Sequence, residues 1–192
     1  MITGKNILLR TVRPDELDSL YERIYDINDK GPFWHLSIQS NAEFMKEYHQ
    51  TGFWSVDEGR MLILTKEGMT IGELLYFKGL DYQSGYEVGY ELFNEKYSGH
   101  GYVSEALLLF CAYLFSVRPI NRIQVNVMEG NMGSRKVVEK CGFTYEGTMR
   151  RATFNQGEYH NLRLYSLRRL SRCDQGRRKN LPCVGLKAPR SL

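Results

Sequence analysis

The sequence predicts a mixed α/β fold of the α+β kind: a twisted, mostly antiparallel sheet with helices on both faces. Two observations lead there. Alternating apolar segments from Arg60 to Phe93 are joined by short Gly-rich connections, which means antiparallel neighbours. A segment that is apolar almost all round, Tyr102 to Phe115, then separates them from another alternating run, which builds a strand–helix–strand crossover with a buried helix.

Each element follows in order. Asn6 to Val12 alternates as a first strand. Pro14-Asp15-Glu16 places proline and two acids where a helix start favours them, and Leu17, Leu20, Tyr21, Ile24 and Ile27 form its apolar stripe. Asn41 to Gln50 reads as a short helix inside an aromatic, less regular stretch. Strands are expected at Arg60–Lys66, Thr70–Phe77 and Tyr86–Phe93, with turns at Glu67-Gly68 and in the Gly-, Asp- and Ser-rich segment before Tyr86. Arg122 to Met128 alternates as a strand after the buried helix. Asn131 to Cys141 is a helix capped by Asn131 and ended by Gly142. Phe143–Gly147 and Tyr159–Leu167 close the order as a strand pair.

The 192 residues, 42% hydrophobic and 12% aromatic, suffice for one core. Residues 1–170 form the body, and 171–192 a tail without periodicity that is expected to lie outside the core. The formal charge of +4 resides in that tail, where six basic residues face one acid; the remainder carries 20 basic and 21 acidic residues. A body so balanced does not suit nucleic-acid binding. No apolar stretch is long enough for a membrane helix, and the first residues lack the layout of a secretory signal, so a cytoplasmic location is expected. Cys111, Cys141, Cys173 and Cys183 match no zinc spacing; Cys111 and Cys141 suit buried, reduced thiols. His35, His49 and His160 are scattered and suggest no metal site.

The most informative stretch runs from Leu92 to Ala106. A strand ends, a loop with Gly99 and Gly101 follows, and the buried helix starts at once. Glycines let the main chain approach a ligand, and free N–H groups at the helix start suit a pyrophosphate. A G-x-G pair alone also fits a tight turn. A dinucleotide fingerprint does not fit, because Ser104 stands at its third glycine and the preceding strands are antiparallel.

Lys96-Tyr97-Ser98-Gly99-His100-Gly101 resembles motif A of the GNAT superfamily of N-acetyltransferases, [QR]-x-x-G-x-[GA], with Lys96 in place of the usual Gln or Arg. Asn131-x-x-Ser134, Lys140-Cys-Gly-Phe143, Glu146-Gly147, Arg150 and Gly157-Glu-Tyr159 resemble the branch that acetylates ribosomal-protein N-termini. The resemblance covers residues 4 to 168. It implies the acyl-CoA N-acyltransferase fold, acetyl-CoA as co-substrate, and a V-shaped opening where the strand before motif A parts from the next parallel strand. It further implies that the main chain of Leu92, Phe93 and Asn94 pairs with the pantetheine arm. The amides of Ser98, Gly99, His100, Gly101 and Tyr102 would hold the pyrophosphate, Lys96 would support the loop or the phosphates, and Asn131 would hydrogen-bond the pantetheine.

The expected reaction is attack of an amine on the thioester, which needs a base, a donor for the oxyanion and a proton for the leaving thiolate. By resemblance the base is Glu87, with Glu91 its alternative on the same strand face. Many members carry a tyrosine acid where this chain has Val138; Ser134 is the expected acid instead. The ribosomal-protein branch can carry a glutamate where this chain has Thr153. The resemblance further implies that Asp26 to Glu58 helps to wall the acceptor cleft, and the acidic excess of that segment suits a cationic amine. Protein N-termini, polyamines and aminosugars stay open as acceptors, as do a monomer and a homodimer. Two alternatives keep less of the chemistry: a CoA-binding regulatory module, and a ribosome- or nucleic-acid-associated protein driven by the tail.

Overall fold

The computed structural model describes residues 1–34, 36–79 and 85–169. The expected tail, 171–192, lies outside the described residues, as do Cys173, Cys183 and His35. Eight strands form one sheet: β1 (Ile2–Thr3), β2 (Ile7–Arg10), β3 (Glu58–Thr65), β4 (Thr70–Lys78), β5 (Gly85–Leu92), β6 (Arg122–Met128), β7 (Thr144–Asn155) and β8 (Glu158–Arg168). Their spatial order is β1-β2-β3-β4-β5-β6-β8-β7, and every pairing is antiparallel except β5 with β6. Helices are α1 (Leu17–Tyr25), α2 (Asn41–Thr51), α3 (Tyr102–Val117) and α4 (Met132–Lys140). The mixed, mostly antiparallel sheet expected from the sequence is the sheet observed.

Alternation along the strands divides the apolar residues between two cores. On one face α3 and α4 cover Met61, Ile63, Leu74, Tyr76, Tyr86, Val88, Ile123, Val125 and Val127, with Phe110, Leu107 and Leu114 of α3 buried against them. On the other, α1 and α2 cover Leu62 and Leu64 with Leu20, Ile24, Phe44 and Phe53. β3 is thus buried on both sides, which is why its sequence reads as a continuous apolar run. Cys111 and Cys141 are free, buried thiols, and burial pushes the Cys141 thiol up to about 12, so both behave as small apolar side chains.

The sequence-based boundaries needed three corrections. β1 was not expected; it is two residues long, too short for an alternation signal. Ile27 lies beyond α1 and is exposed, so the stripe ends at Ile24. β7 extends to Asn155 rather than stopping near Gly147. Its second half has no apolar alternation, because the register slips between Met149 and Thr153 and Arg151 adopts a left-handed φ of 50°. Asn161 accepts the displaced Arg151 N–H on its side-chain oxygen at 2.8 Å, replacing the lost ladder bond.

Candidate active site

β5 and β6 pair only over Gly85–Glu87 and Arg122–Gln124, and then part. β5 stays bonded to β4 up to Leu92, and β6 to β8 up to Met128. The two strands therefore open a wedge whose inner edges carry unpaired main-chain groups. The direction of those groups is fixed by the bonds at the ladder ends, Gly79 N–H to Gly85 C=O at 3.2 Å and Phe93 N–H to Ile71 C=O at 3.0 Å. With strand alternation, Val88, Tyr90 and Leu92 turn their main-chain groups into the wedge, and Glu87, Gly89 and Glu91 turn theirs to β4. Phe93 is thus a correction: its amide is committed to Ile71, and the edge available to a ligand runs through Val88, Tyr90 and Leu92. Asn94 caps the 3-10 turn that follows, its side-chain oxygen accepting the Lys96 N–H at 3.0 Å.

Beyond that turn the chain makes a cradle. Gly99 (φ 79°) and Gly101 (φ 81°) both occupy the left-handed region, where a Cβ is strained. The first α3 amide to find a carbonyl is that of Glu105, bonded to Gly101 at 3.0 Å. Among the described residues the amides of Gly99, His100, Gly101, Tyr102, Val103 and Ser104 have no protein partner, and they gather at the positive end of a 16-residue helix. Ser98 is a second correction: its N–H donates to the Glu95 carbonyl at 2.8 Å, so the cradle begins one residue later than expected. His100 stacks flat on Tyr102 at 5.6 Å between ring centres, and its Nδ1 meets the Ser98 carbonyl at 2.9 Å.

The cation nearest the cradle was not anticipated. Lys140, in the last turn of α4, holds its ammonium 3.9 Å from the point where a Gly101 Cβ would stand. Lys96 instead lies over the Tyr97 ring at 4.9 Å and lines a cleft of about 460 Å³ toward α1, with Arg23, Met69 and Phe93. That cleft lies between α1 and the loop that follows β5.

Glu87 sits at the apex, the last β5 residue in register with β6. Its carboxylate accepts from the Asn126 amide at 2.8 Å and the Gln124 amide at 3.2 Å. Two neutral donors hold the group in place without cancelling its charge. The Asn126 side-chain oxygen is buried and, among the described residues, has no hydrogen-bond partner. The signal for this arrangement was present in the sequence: Gln124 and Asn126 are the polar members of an otherwise apolar alternating strand.

Glu91 shares that face, but its surroundings differ. It stands directly opposite Glu73 of β4. Like charges so placed need compensation. Arg60 bonds Glu73 at 2.7 Å, and Lys30 bonds Glu91 at 2.9 and 3.2 Å. Burial is the largest influence on Glu91 and pushes its carboxyl up to about 7, with Glu73 adding to the effect and Lys30 opposing it. Burial also raises Glu73.

Asn131 is the N-cap of α4, its side-chain oxygen accepting the Ser134 N–H at 2.9 Å. The Ser134 carbonyl accepts from the Tyr90 hydroxyl at 3.2 Å, which ties the first turn of α4 to the wedge edge. Burial holds the Tyr90 hydroxyl well above the usual phenol range. Sequence reading gave Tyr90 no role, because the contact joins residues 44 positions apart. Val138 is fully buried in the core.

With this geometry in hand, comparison with known proteins is specific. Residues 6–144 match the family model described as an acetyltransferase (GNAT) domain. The chain is 26% identical over 162 residues to the SPbeta prophage-derived uncharacterized N-acetyltransferase YokL of Bacillus subtilis (strain 168), covering 83% of this chain and 88% of that one. It is 27% identical over 174 residues to the putative ribosomal N-acetyltransferase YdaF of the same organism, covering 85% and 92%. The fold matches that of spermidine N-acetyltransferase from Vibrio cholerae, solved with CoA and spermine, with a TM-score of 0.74 at 17% identity over 86% of this chain and 96% of that one. The chain is a member of the GNAT family of N-acetyltransferases, whose co-substrate is acetyl-CoA.

Proposed function

We propose that the protein transfers the acetyl group of acetyl-CoA directly to a primary amine held in the wedge beside Glu87. The single observation that carries this reading is the continuity of three features: an open strand pair, a ring of free amides at the start of α3, and an anchored carboxylate at the apex. The pyrophosphate of acetyl-CoA binds the amides of Gly99 to Ser104 with Lys140 beside them, and the pantetheine arm lies along the Val88–Leu92 edge. Bonding of that arm to Asn131 rests on the free side-chain N–H₂ left by the cap.

The acceptor must arrive, or become, uncharged, since an α-amine titrates near 8 and a lysine-type amine near 10.4. Glu87 takes the proton, directly or through a water, as the amine nitrogen bonds the thioester carbon. A main-chain N–H of the β5 edge donates to the resulting oxyanion. Collapse of the tetrahedral adduct breaks the C–S bond, and the Ser134 hydroxyl, in the first turn of α4, protonates the departing thiolate and regains through water the proton that Glu87 took. The products are an N-acetylated amine and CoA. Glu91 is the less suitable base, because its carboxylate is already bonded to an ammonium.

The test is direct. Thermal stability is measured with acetyl-CoA, free CoA and NAD, and turnover with a panel of amines. Stabilisation by the two CoA species alone, with turnover that falls about 10²- to 10⁴-fold in Glu87→Gln, is the expected outcome. Binding without turnover on any amine would leave a CoA-binding module and defeat the catalytic reading.

A further inference from the structure

We infer that Lys30 is a built-in ammonium plugging a second cation subsite of the acceptor cleft. It thereby selects acceptors whose only positive charge near the site is the reacting amine. This rests on the transfer reaction proposed above and names the class of amine that reaction accepts.

A strap crosses the wedge. Residues 30 to 34 touch three strands or their ends: Lys30 bonds Glu91 on β5, Phe33 lies 3.7 Å from the Cβ position of Gly130 just past β6, and the Pro32 carbonyl accepts from Asn155 of β7 at 3.0 Å. The strap therefore roofs the face of the sheet on which Glu87 and Glu91 stand. Beneath it, the Lys30 ammonium meets a carboxylate at 2.9 Å and the Trp34 ring at 5.4 Å. A carboxylate with an aromatic face is the usual chemistry of an alkylammonium site. Here the occupant comes from the chain itself, and only 9% of its side-chain surface is exposed.

Charge pairing on this sheet face gives the consequence. Its carboxylates on β4 and β5 are Glu73, Glu87 and Glu91. Arg60 is committed to Glu73 and Lys30 to Glu91. Among the described residues Glu87 is held by neutral amides, so of these three it is the one without a cation beside it to receive an ammonium. Four residues of strand separate Glu87 from Glu91, about 13 Å. A linear polyamine such as spermine reaches both positions, and its second ammonium would meet Lys30 instead of a free carboxylate. An amine without a second cation, such as the N-terminus of a neutral peptide, meets no such repulsion.

The experiment compares kcat/KM, with acetyl-CoA, for a neutral alanine-initiated peptide and for spermine. It is run at about pH 8.5, where a carboxylate uncovered at position 91 can ionise against the incoming cation. Wild type favours the peptide. Lys30→Met keeps the apolar stem but frees Glu91, and raises spermine kcat/KM about tenfold or more while leaving the peptide within about threefold. Lys30→Arg keeps the ion pair and the wild-type preference. The double variant Lys30→Met with Glu91→Gln loses the gain, which separates a vacated cation subsite from a merely loosened strap. Lys30→Gln replaces Lys30→Met if the latter does not fold. An unchanged preference in the folded Lys30 variant overturns the inference while leaving the transfer reaction intact, as does a wild type that favours spermine. Absence of transfer to every amine, with acetyl-CoA still bound, overturns the reaction itself and this inference with it.

Discussion

Tyr86, Val88, Tyr90 and Leu92 alternate with Glu87, Gly89 and Glu91 along one strand, yet the two sets meet opposite environments. The first set faces α3 and α4 in a close-packed apolar core. The second faces the strap and the carboxylate–cation ladder. One side supplies the free energy that holds β5 in place. The other spends part of it, since buried charges recover their desolvation only through well-placed partners. The site is polar because the opposite face of the same strand is not.

The comparison can be broken most strongly from the apolar side. Phe110 is fully buried against Tyr76 and Trp54. Phe110→Ala is expected to cost about 3–5 kcal/mol in unfolding free energy, while kcat of the folded fraction stays near wild type. Chemical denaturation and kinetics on one preparation check both halves. A large fall in kcat at temperatures where the variant is folded would show that the two faces are not separable.

Gly101→Val acts where the faces meet. A β-branched residue at φ 81° costs about 1–2 kcal/mol and pushes into the cradle beside Lys140. Stabilisation by acetyl-CoA, worth about 2.7 kcal/mol at a hundredfold excess over Kd, should vanish. Retained stabilisation would move the phosphate site elsewhere.

The smallest expected effect lies on the charged face. Glu91 has its carboxyl raised from 4.5 to about 7, so the native state binds this proton more tightly than the unfolded chain. Its stabilising contribution is complete below the unfolded value and is lost as pH rises through about 7. Glu91→Gln should therefore flatten stability against pH over that interval. Thermal melts of both proteins across the window decide it; parallel profiles would mean that Lys30 compensates Glu91 fully.

Much of the site's frame was legible in the chain. Alternation located β3 to β6 within a residue or two, and Gly99 and Gly101 marked the cradle because a helix start after positive φ needs residues without a Cβ. Asn131 and Gly142 marked the ends of α4 for equally local reasons. The second half of β7 was not legible, because its residues hold the sheet through bulge and hairpin bonds and present no apolar period. Lys96 was expected to support the loop or the phosphates by its place in a motif; it lies over Tyr97, and the Lys140 ammonium stands beside Gly101.

Sequence alone determined what depends on near neighbours: periodicity, caps, turns, and a glycine-flanked helix start whose first amides lack carbonyl partners. Tertiary structure decided every pairing across the site. Asn126 anchors Glu87 from 39 positions away, and Lys30 occupies Glu91 from 61. The wedge exists because β6 follows β8 rather than β5 beyond Gln124. Which carboxylate has a cation beside it and which is held by neutral amides is settled by packing, and that choice is made only when the strap folds over the sheet.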